Sequence, residues 1–575
     1  MKLTGGELVV RALQDEGITH TFGIPGTHNI ELYDALGPSG VTPVLVTDEQ
    51  SAGFMADGYW RASGRMACVN LVPGAGLTHA LSGIAEAFMD GVPMLVLGCG
   101  IRQDLRMAYQ LHDIDQLAMA APVTKATWRP MTGDELYPAI RRACALARAG
   151  TPGPVMVEVP INLYLSRHEV DPASFAAPAP MLPPHAIDVE IGKVAGWLTA
   201  EGARPLIYAG LGAADADLVA LAERLEAPVA TTIQGKGVFP ESHPLFLWNG
   251  FGNSAPPAHR AIAAGCDRVL AIGCRFSEVG TAGYGITLPG PLCHVDINPE
   301  VLGRNFPAEI AIASDARLFV EGLVKVLGRR STVDSRQTAR GKIAGAHAQV
   351  RKGWEEGRSG EAVSPTLLIQ KLQARFGPET IFTTDSGNGT FLAMEALRLE
   401  RPGRFLAPVD YSCMGYAVPA AIGASLARPG VPVVALAGDG AFLMTGLEGL
   451  TAVQRRVPVL IVLLRDRELA QIAQFQGTAF NRAVASQLPD YDAAGFARGM
   501  GMDYIPLGDD AAIDGVLIAA GAMLGEGRPV MVDAAVDYSL KTWFTRGVVR
   551  TMLSRLPWKD RVRFVGRALA RRVTG

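Results

Sequence analysis

Short runs of apolar residues, four to eight long and rich in Val, Ile and Leu, recur along the chain. Each ends in a glycine or polar turn and is followed by a segment of helical periodicity. Residues 1–180 contain THTFGIPG, VTPVLVTDEQSAGFMADGYWRASG, MACVNLVPGAG, VPMLVLGCG and GPVMVEVP. The same rhythm returns in 190–330 (RPLIYAGLGA, DRVLAIGCRFSEVGT, LCHVDINPE) and in 363–538 (TIFTTDSGNGTFLAM, VPVVALAGDG, VPVLIVLL). Continuous apolar strands alternating with helices predict parallel sheets covered on both faces, so the fold class is α/β with three doubly wound domains. The Pro/Ala-rich stretch 165–188 and the charged stretch 331–362 are expected to connect them.

A chain of 575 residues exceeds one core, in keeping with three domains. The net charge of −3 gives no bias toward nucleic acid. Seven cysteines lie scattered with no metal-binding spacing, which reads as reduced thiols in a cytoplasmic protein. The N-terminus reads as an amphipathic helix and not as a signal peptide, and no apolar run approaches the ~20 residues that cross a bilayer.

Chemistry concentrates in 433–476. VVALA is a buried strand, Gly438-Asp439-Gly440 ends it and opens a helix, and a second strand delivers Arg465-Asp466. Two acids therefore stand at the carboxyl ends of two strands joined by one crossover, where open α/β sheets bind ligands. Glycines and a helix N-terminus suit a diphosphate. Two carboxylates there would repel it unless a cation lay between, and Mg²⁺ takes such oxygen ligands. A bare GDG would equally serve as a turn. In the same domain, backbone and hydroxyl groups of Asn388, Gly389 and Thr390 are candidates to hold the diphosphate, and Met414 reads equally as core. Glu49, after a strand and before a small-residue helix, reads from position alone as an N-terminal helix charge. His28, Gln110 and His112 lie in loops.

GDG, 24 residues and then a polar pair resembles the signature of thiamine-diphosphate enzymes, within them the acetolactate synthase and benzaldehyde lyase group. The block FGIPG…EQSAGFMADGYWRASG is similar to their N-terminal domain, and CMGYAVPAAIG to their C-terminal one. The resemblance implies a pyrimidine-binding domain at 1–180, a central domain at 190–330 and a diphosphate- and Mg-binding domain at 363–538. It implies that Asp439, Asp466 and the carbonyl of Glu468 hold Mg²⁺. Gly438, Gly440, Ala441, Leu469 and Ala470 would flank the cofactor, and Met414 would wedge its two rings into a bent form. Arg465-Asp466 replaces the usual Asn-Asn, which adds a negative charge that Arg465 is expected to offset. Glu49 would share a proton with N1′ of the aminopyrimidine, a task that suits a buried carboxyl with a raised pKa. The cofactor supplies the carbanion chemistry itself. Benzaldehyde lyase has an active-site His in the position of His28. Acetolactate synthases have FQ-E-V-D where this chain has Leu111–Asp115, so His112 or, with one-residue slippage, Gln110 takes the place of their Gln. RFSEVGT lacks the Arg-Phe-Asp-Asp-Arg run of flavin-containing relatives, so FAD is not expected.

The resemblance implies decarboxylation of a 2-keto acid such as pyruvate and ligation to a carbonyl acceptor. The alternatives are a lyase of 2-hydroxy ketones or 2-hydroxyacyl-CoA that releases no CO₂, and a non-catalytic cofactor-binding homologue. Relatives build each site from two subunits, which implies a homodimer or homotetramer. The tail, 541–575, carries ten Lys and Arg against one acid, Asp560. Val548, Val549, Met552, Leu553 and Leu556 share one helical face, and Val562, Val565, Leu569 and Val573 another. It reads as an arm packed on its own assembly or closing the active site, or as an interfacial helix pair drawn to anionic lipid.

Overall fold

The computed structural model describes residues 1–575 except 106, 172, 174, 329–335, 358–361 and 575, and the side chains of 336–338, 479, 565 and 568–574. It contains three six-stranded sheets, parallel throughout, flanked by helices. In spatial order the first is built from Thr42–Leu45, His20–Gly23, Cys68–Leu71, Met94–Gly100, Pro154–Pro160 and Thr127–Trp128. The third runs Phe405–Leu406, Ile381–Thr384, Val433–Gly438, Val459–Arg465, Val530–Ala535 and Asp503–Leu507. Numbered along the chain within each sheet, both have the order 2-1-3-4-6-5. The middle sheet, Phe246–Asn249, Val229–Thr231, Pro205–Ala209, Arg268–Ile272, Leu292–Asp296 and Ile310–Ala313, has the order 3-2-1-4-5-6. In the first and third sheets the chain reverses direction across the sheet between strands 1 and 3. The crevice there lies beyond Gly23 and Leu71 in one domain and beyond Thr384 and Gly438 in the other.

The outer two domains are fastened by helix on helix. Glu49–Ser63 is capped by Asp48, whose Oδ1 accepts from Gln50 N at 2.8 Å, and ends at Gly64 in the left-handed region. It packs against Ala417–Ala427 of the third domain, whose small side chains bring the backbones together. A Cβ at Gly58 would stand 2.2 Å from the Ala420 carbonyl oxygen, so only glycine fits. Around this seam a buried polar network spans both domains. Arg61 pairs with Asp57 at 2.7 Å and Asp90 at 2.7 Å, Asp57 accepts from the Tyr416 hydroxyl, and Asp90 accepts from the amides of Val409 and Asp410.

Several details differ from the sequence reading. Residues 2–4 form a strand before the first helix, Gly5–Asp15, and pair antiparallel with Arg167–Glu169. The start of the expected linker at 165–188 is therefore tied into the first domain. Of the expected connection at 331–362, Arg336–Glu356 is a helix, and 331–335 and 358–361 lie outside the described residues. The tail forms two helices, Trp543–Arg555 and Trp558–Thr574. The face of the first that meets the core carries Phe544, Thr545, Gly547 and Thr551, with Val548 half-buried beside them, whereas Met552 is exposed. Periodicity alone favoured the larger aliphatics, but Phe544 stacks on Phe391 at 3.9 Å and Thr551 accepts from Asn253 Nδ2 at 2.9 Å. Of the second face only Val562 has a described side chain, and it is exposed; the side chains of Val565, Leu569 and Val573 lie outside the described residues.

Phe544 anchors the tail, and Glu395 caps its first helix by accepting from Phe544 N at 3.0 Å. Replacing Phe544 by Ala should cost about 3 kcal/mol, the usual loss for a buried aromatic. It should also speed proteolysis between 541 and 575. Limited proteolysis followed by mass spectrometry checks this, and an unchanged cleavage rate would contradict it.

Candidate active site

At the crevice of the third domain one cavity gathers the segments 385–389, 438–441 and 464–472, with Met414 above and Tyr538 below. The sequence candidates Asn388, Gly389, Met414, Gly438, Asp439, Gly440, Ala441, Asp466, Glu468, Leu469 and Ala470 all line it. Thr390 does not. Its hydroxyl is buried, donating to the Asp385 carbonyl and accepting from the Thr384 hydroxyl, so it holds the helix start.

The two acids are held by backbone. Asp439 accepts from Gly440 N at 2.9 Å and from Arg467 N at 2.7 Å, which locks the two strand ends together. Asp466 accepts from Glu468 N at a long 3.3 Å. Burial pushes the Asp466 carboxyl up to about 7, with the Asp439 charge adding to it. Burial likewise raises Asp439, against the pull of its two amides. Such a pair is short of positive charge, and a cation with oxygen preferences meets that deficit. Gly440 provides the cradle: a Cβ there would meet Leu469 at 2.7 Å and Met414 at 3.6 Å, where the ligand must pass. The residues thus fit a diphosphate and its Mg²⁺.

Arg465 acts on this acid pair through space, its charge pulling the raised pKa of Asp439 back down. Its guanidinium turns away to Asp533 on the next strand, at 2.7 Å, where Tyr504 also donates at 2.8 Å. Buried Asp533 claims it because it has no other cation at hand, so the extra negative charge at Asp466 stays uncompensated by direct contact. Glu468 is fixed by its side chain, which accepts from Gln487, and the following turn is stitched by Leu469 N to Ser486 O and Leu488 N to Arg467 O.

Sequence reasoning missed Asp385. This buried carboxylate accepts from the amides of Gly415, Tyr416 and Ala417 at 2.7, 3.3 and 3.2 Å, and so fixes the loop that carries Met414. Burial raises its pKa to about 6, against those amides. Its position at a strand end before Ser-Gly-Asn-Gly was the available signal. Gln471, Ile472 and Tyr538 were also missed, because cavity walls carry no motif.

The other candidates converge on the first domain. Glu49 opens its helix, is largely buried, and lies 3.3 Å from His79 Nδ1. His28 and His112 stack edge to face at 5.4 Å. The turn 74–76 joins these groups: Gly74 abuts His112, and Gly76 abuts the Glu49 carboxyl. Gln116, also missed, fixes this turn by accepting from Gly74 N at 3.2 Å and donating to Cys99 O at 2.8 Å. Gln110 donates to Arg102 O at 3.0 Å at the loop's edge. Burial and His112 lower the pKa of His28. None of these residues lines the Asp439 cavity, so within one chain the candidates form two separate half-sites.

The tail packs on two helices whose first residues line that cavity. Phe391, under Phe544, belongs to the helix Asn388–Ala396. Phe480, at the end of Ala470–Phe480, meets Phe564 at 6.4 Å and lies under Arg567. This packing on its own chain agrees with the arm reading of the tail.

Three family models match the chain. They are the thiamine pyrophosphate enzyme N-terminal TPP binding domain over residues 3–119, the central domain over 193–323 and the C-terminal TPP binding domain over 385–534. A probable acetolactate synthase large subunit of Methanocaldococcus jannaschii is 31% identical over 84% of this chain and 83% of its own length. A probable 2-ketoarginine decarboxylase of Pseudomonas aeruginosa is 33% identical over 82% and 83%. The acetolactate synthase isozyme 2 large subunit of Escherichia coli is 28% identical over 94% and 97%.

Because burial and the Asp439 charge raise the Asp466 carboxyl to about 7, it carries a proton below that pH, and a cation taken up there would displace it. Mg²⁺ affinity of the cofactor-free protein should therefore rise with pH up to about 7 and then level. Calorimetry at pH 6 in buffers of different ionisation enthalpy should record proton release. In Asp466→Asn the release should vanish. Equal release in both proteins would contradict the assignment.

Proposed function

The chain belongs to the thiamine pyrophosphate enzyme family, and on that premise we propose that it decarboxylates a 2-keto acid of the pyruvate type and joins the acyl unit to a carbonyl acceptor. Three TPP-enzyme domain matches and acetolactate synthase relatives over most of the chain support a thiamine-diphosphate enzyme of 2-keto acids. The observation that carries the finer reading is that the relatives include acetolactate synthases and a probable 2-ketoarginine decarboxylase; the paired Asp439 and Asp466 beside the Gly440 cradle support the cofactor that the alternatives would share.

Bound thiamine diphosphate supplies a carbon nucleophile for the keto group and an electron sink for the bond that releases CO₂. Asp439, Asp466 and the Glu468 carbonyl would hold Mg²⁺ and, with it, the diphosphate. Asn388 and Gly389 line its path, and Met414, fixed through Asp385, supports the bend between the rings. Glu49 holds the proton at N1′ of the aminopyrimidine. His28, whose pKa is lowered by burial, is a neutral imidazole at neutral pH and is suited to take up or return a proton beside the substrate, with His112 and Gln110 at its edge.

The separation of the half-sites supports a working unit of two chains, in which the Glu49 half of one faces the Asp439 half of the other. Exposed apolar side chains on both halves favour such burial: Leu443, Met444, Leu447 and Leu450 after Asp439, and Met107, Leu111 and Ile114 around His112. The assembly is a homodimer or a homotetramer. No flavin takes part in this reading, since the RFSEVGT run lacks the Arg-Phe-Asp-Asp-Arg sequence of flavin-containing relatives. No helix among the described residues is long and apolar enough to cross a membrane, and all seven cysteines are free. Both features are compatible with work in the cytoplasm, and the packed tail leaves contact with a lipid surface as a secondary reading.

The test is turnover by protein reconstituted with thiamine diphosphate and Mg²⁺, over a panel of 2-keto acids, acyloins and 2-hydroxyacyl-CoAs. CO₂ release from one keto acid is expected, with Glu49→Gln slower by about 100-fold or more. Cleavage of an acyloin or acyl-CoA without CO₂ would contradict the decarboxylation reading. Full activity in Glu49→Gln would contradict the role of that residue.

A further inference from the structure

Glu448 is fully buried and forms no ion pair among the described residues. Its Oε1 crosses from the third domain to the first and accepts three hydrogen bonds there: from Thr47 N at 2.8 Å, Thr47 Oγ1 at 2.7 Å and Asp48 N at 3.2 Å. These donors belong to the two residues immediately before Glu49. Its Oε2 accepts from Thr451 at 2.7 Å, which keeps the carboxyl in one orientation. Asp48, so held, is itself the cap of the helix that begins at Glu49.

The chain on which Glu448 sits gives this contact its meaning. The helical run that ends in Glu448 starts at Asp439, and Thr445 on the way donates to the Gly415 carbonyl at 2.6 Å, beside Met414. Ten residues thus index three functional groups: the metal-binding acid, the loop under the cofactor, and the junction that carries the pyrimidine-binding acid. A strand-to-helix junction has no ladder partners of its own beyond the last strand pair. Left unheld, the backbone of Thr47 and Asp48 would turn freely enough to move the Glu49 carboxyl by an ångström, a displacement that costs catalysis about 100-fold.

We propose that Glu448 is a positioning residue for Glu49: its carboxylate sets the strand-to-helix junction from the opposite domain and so fixes where the Glu49 carboxyl meets the aminopyrimidine. The inference rests on the function proposed above for Glu49. Binding of the diphosphate and metal does not depend on it, because those contacts lie elsewhere in the third domain. Loss of Glu448 therefore lowers proton transfer at the pyrimidine and leaves cofactor affinity in place.

The experiment uses the full chain with thiamine diphosphate and Mg²⁺, and compares Glu448→Ala, Glu448→Gln, Thr47→Val and Arg65→Met. Deuterium exchange at thiazolium C2, cofactor Kd and melting temperature are measured, with amide exchange at Thr47 and Asp48 in the cofactor-free protein. Glu448→Ala should slow C2 exchange at least about tenfold, with Kd changed less than about twofold and both amides deprotected. Glu448→Gln, which keeps an acceptor, should restore most of the rate. Thr47→Val removes only the hydroxyl contact and cannot unfold the core; it should slow exchange about threefold. Arg65→Met deletes another tie between the same domains, the bond to the Ala427 carbonyl, and should lower the melting temperature without touching C2 exchange. Wild-type C2 exchange in both Glu448→Ala and Thr47→Val, with Glu49→Gln inactive, would overturn the proposal. The same is true of Thr47→Val alone if Glu448→Ala does not fold. Persistent C2 exchange in Glu49→Gln would overturn the role given to Glu49 and this proposal with it.

Discussion

Asp439 and Asp466 stand at the ends of adjacent strands in a half-buried corner, where burial raises both carboxyls and the Asp439 charge adds to the rise at Asp466, to about 7. Backbone geometry imposes this. Two amides fix Asp439, the strand register Gly438 to Leu464 fixes the spacing, and the nearest guanidinium is turned to Asp533. The corner is thus incomplete as protein alone. A divalent cation held by these acids would relieve that charge and supply a counter-ion for a diphosphate. Gly440 leaves the room for that ligand, and the Met414 loop, clamped by Asp385, fixes the wall above it.

The rest of the molecule can be understood as holding this corner in register with a distant acid. The seam of Glu49–Ser63 on Ala417–Ala427 makes one body of the first and third domains, and the buried network around Arg61 makes that seam specific. The run from Asp439 to Glu448 then spans from the metal corner to the Glu49 junction. Yet Glu49 does not line the Asp439 cavity of its own chain. In the function proposed above, a second copy of the chain would supply the facing half. Rigidity inside the chain then becomes precision between chains.

Much of this was legible in the sequence. The three α/β domains follow from apolar runs and turn residues, because a parallel strand buried on both faces can scarcely be written otherwise. The GDG turn and the Arg465-Asp466 pair were visible because strand ends in such sheets are the default ligand positions. What escaped was whatever depends on contacts between distant segments. Thr390 was a plausible ligand by position, but its hydroxyl serves the helix start. The charge of Arg465 was legible, but only the adjacent strand reveals its partner, Asp533. Asp385 and Glu448 act through backbone amides 30 and 400 residues away. The tail helix presents Phe544 and small residues to the core where the periodicity favoured Val and Leu.

The most direct test of the account is the affinity of the wild-type protein for thiamine diphosphate with Mg²⁺ present and with all divalent metal chelated. If the carboxylate pair governs the site, binding is tight with Mg²⁺ and weakens by about 100-fold or more without it, since the diphosphate then meets two uncompensated acids. Equal affinity under both conditions would contradict the account at its base.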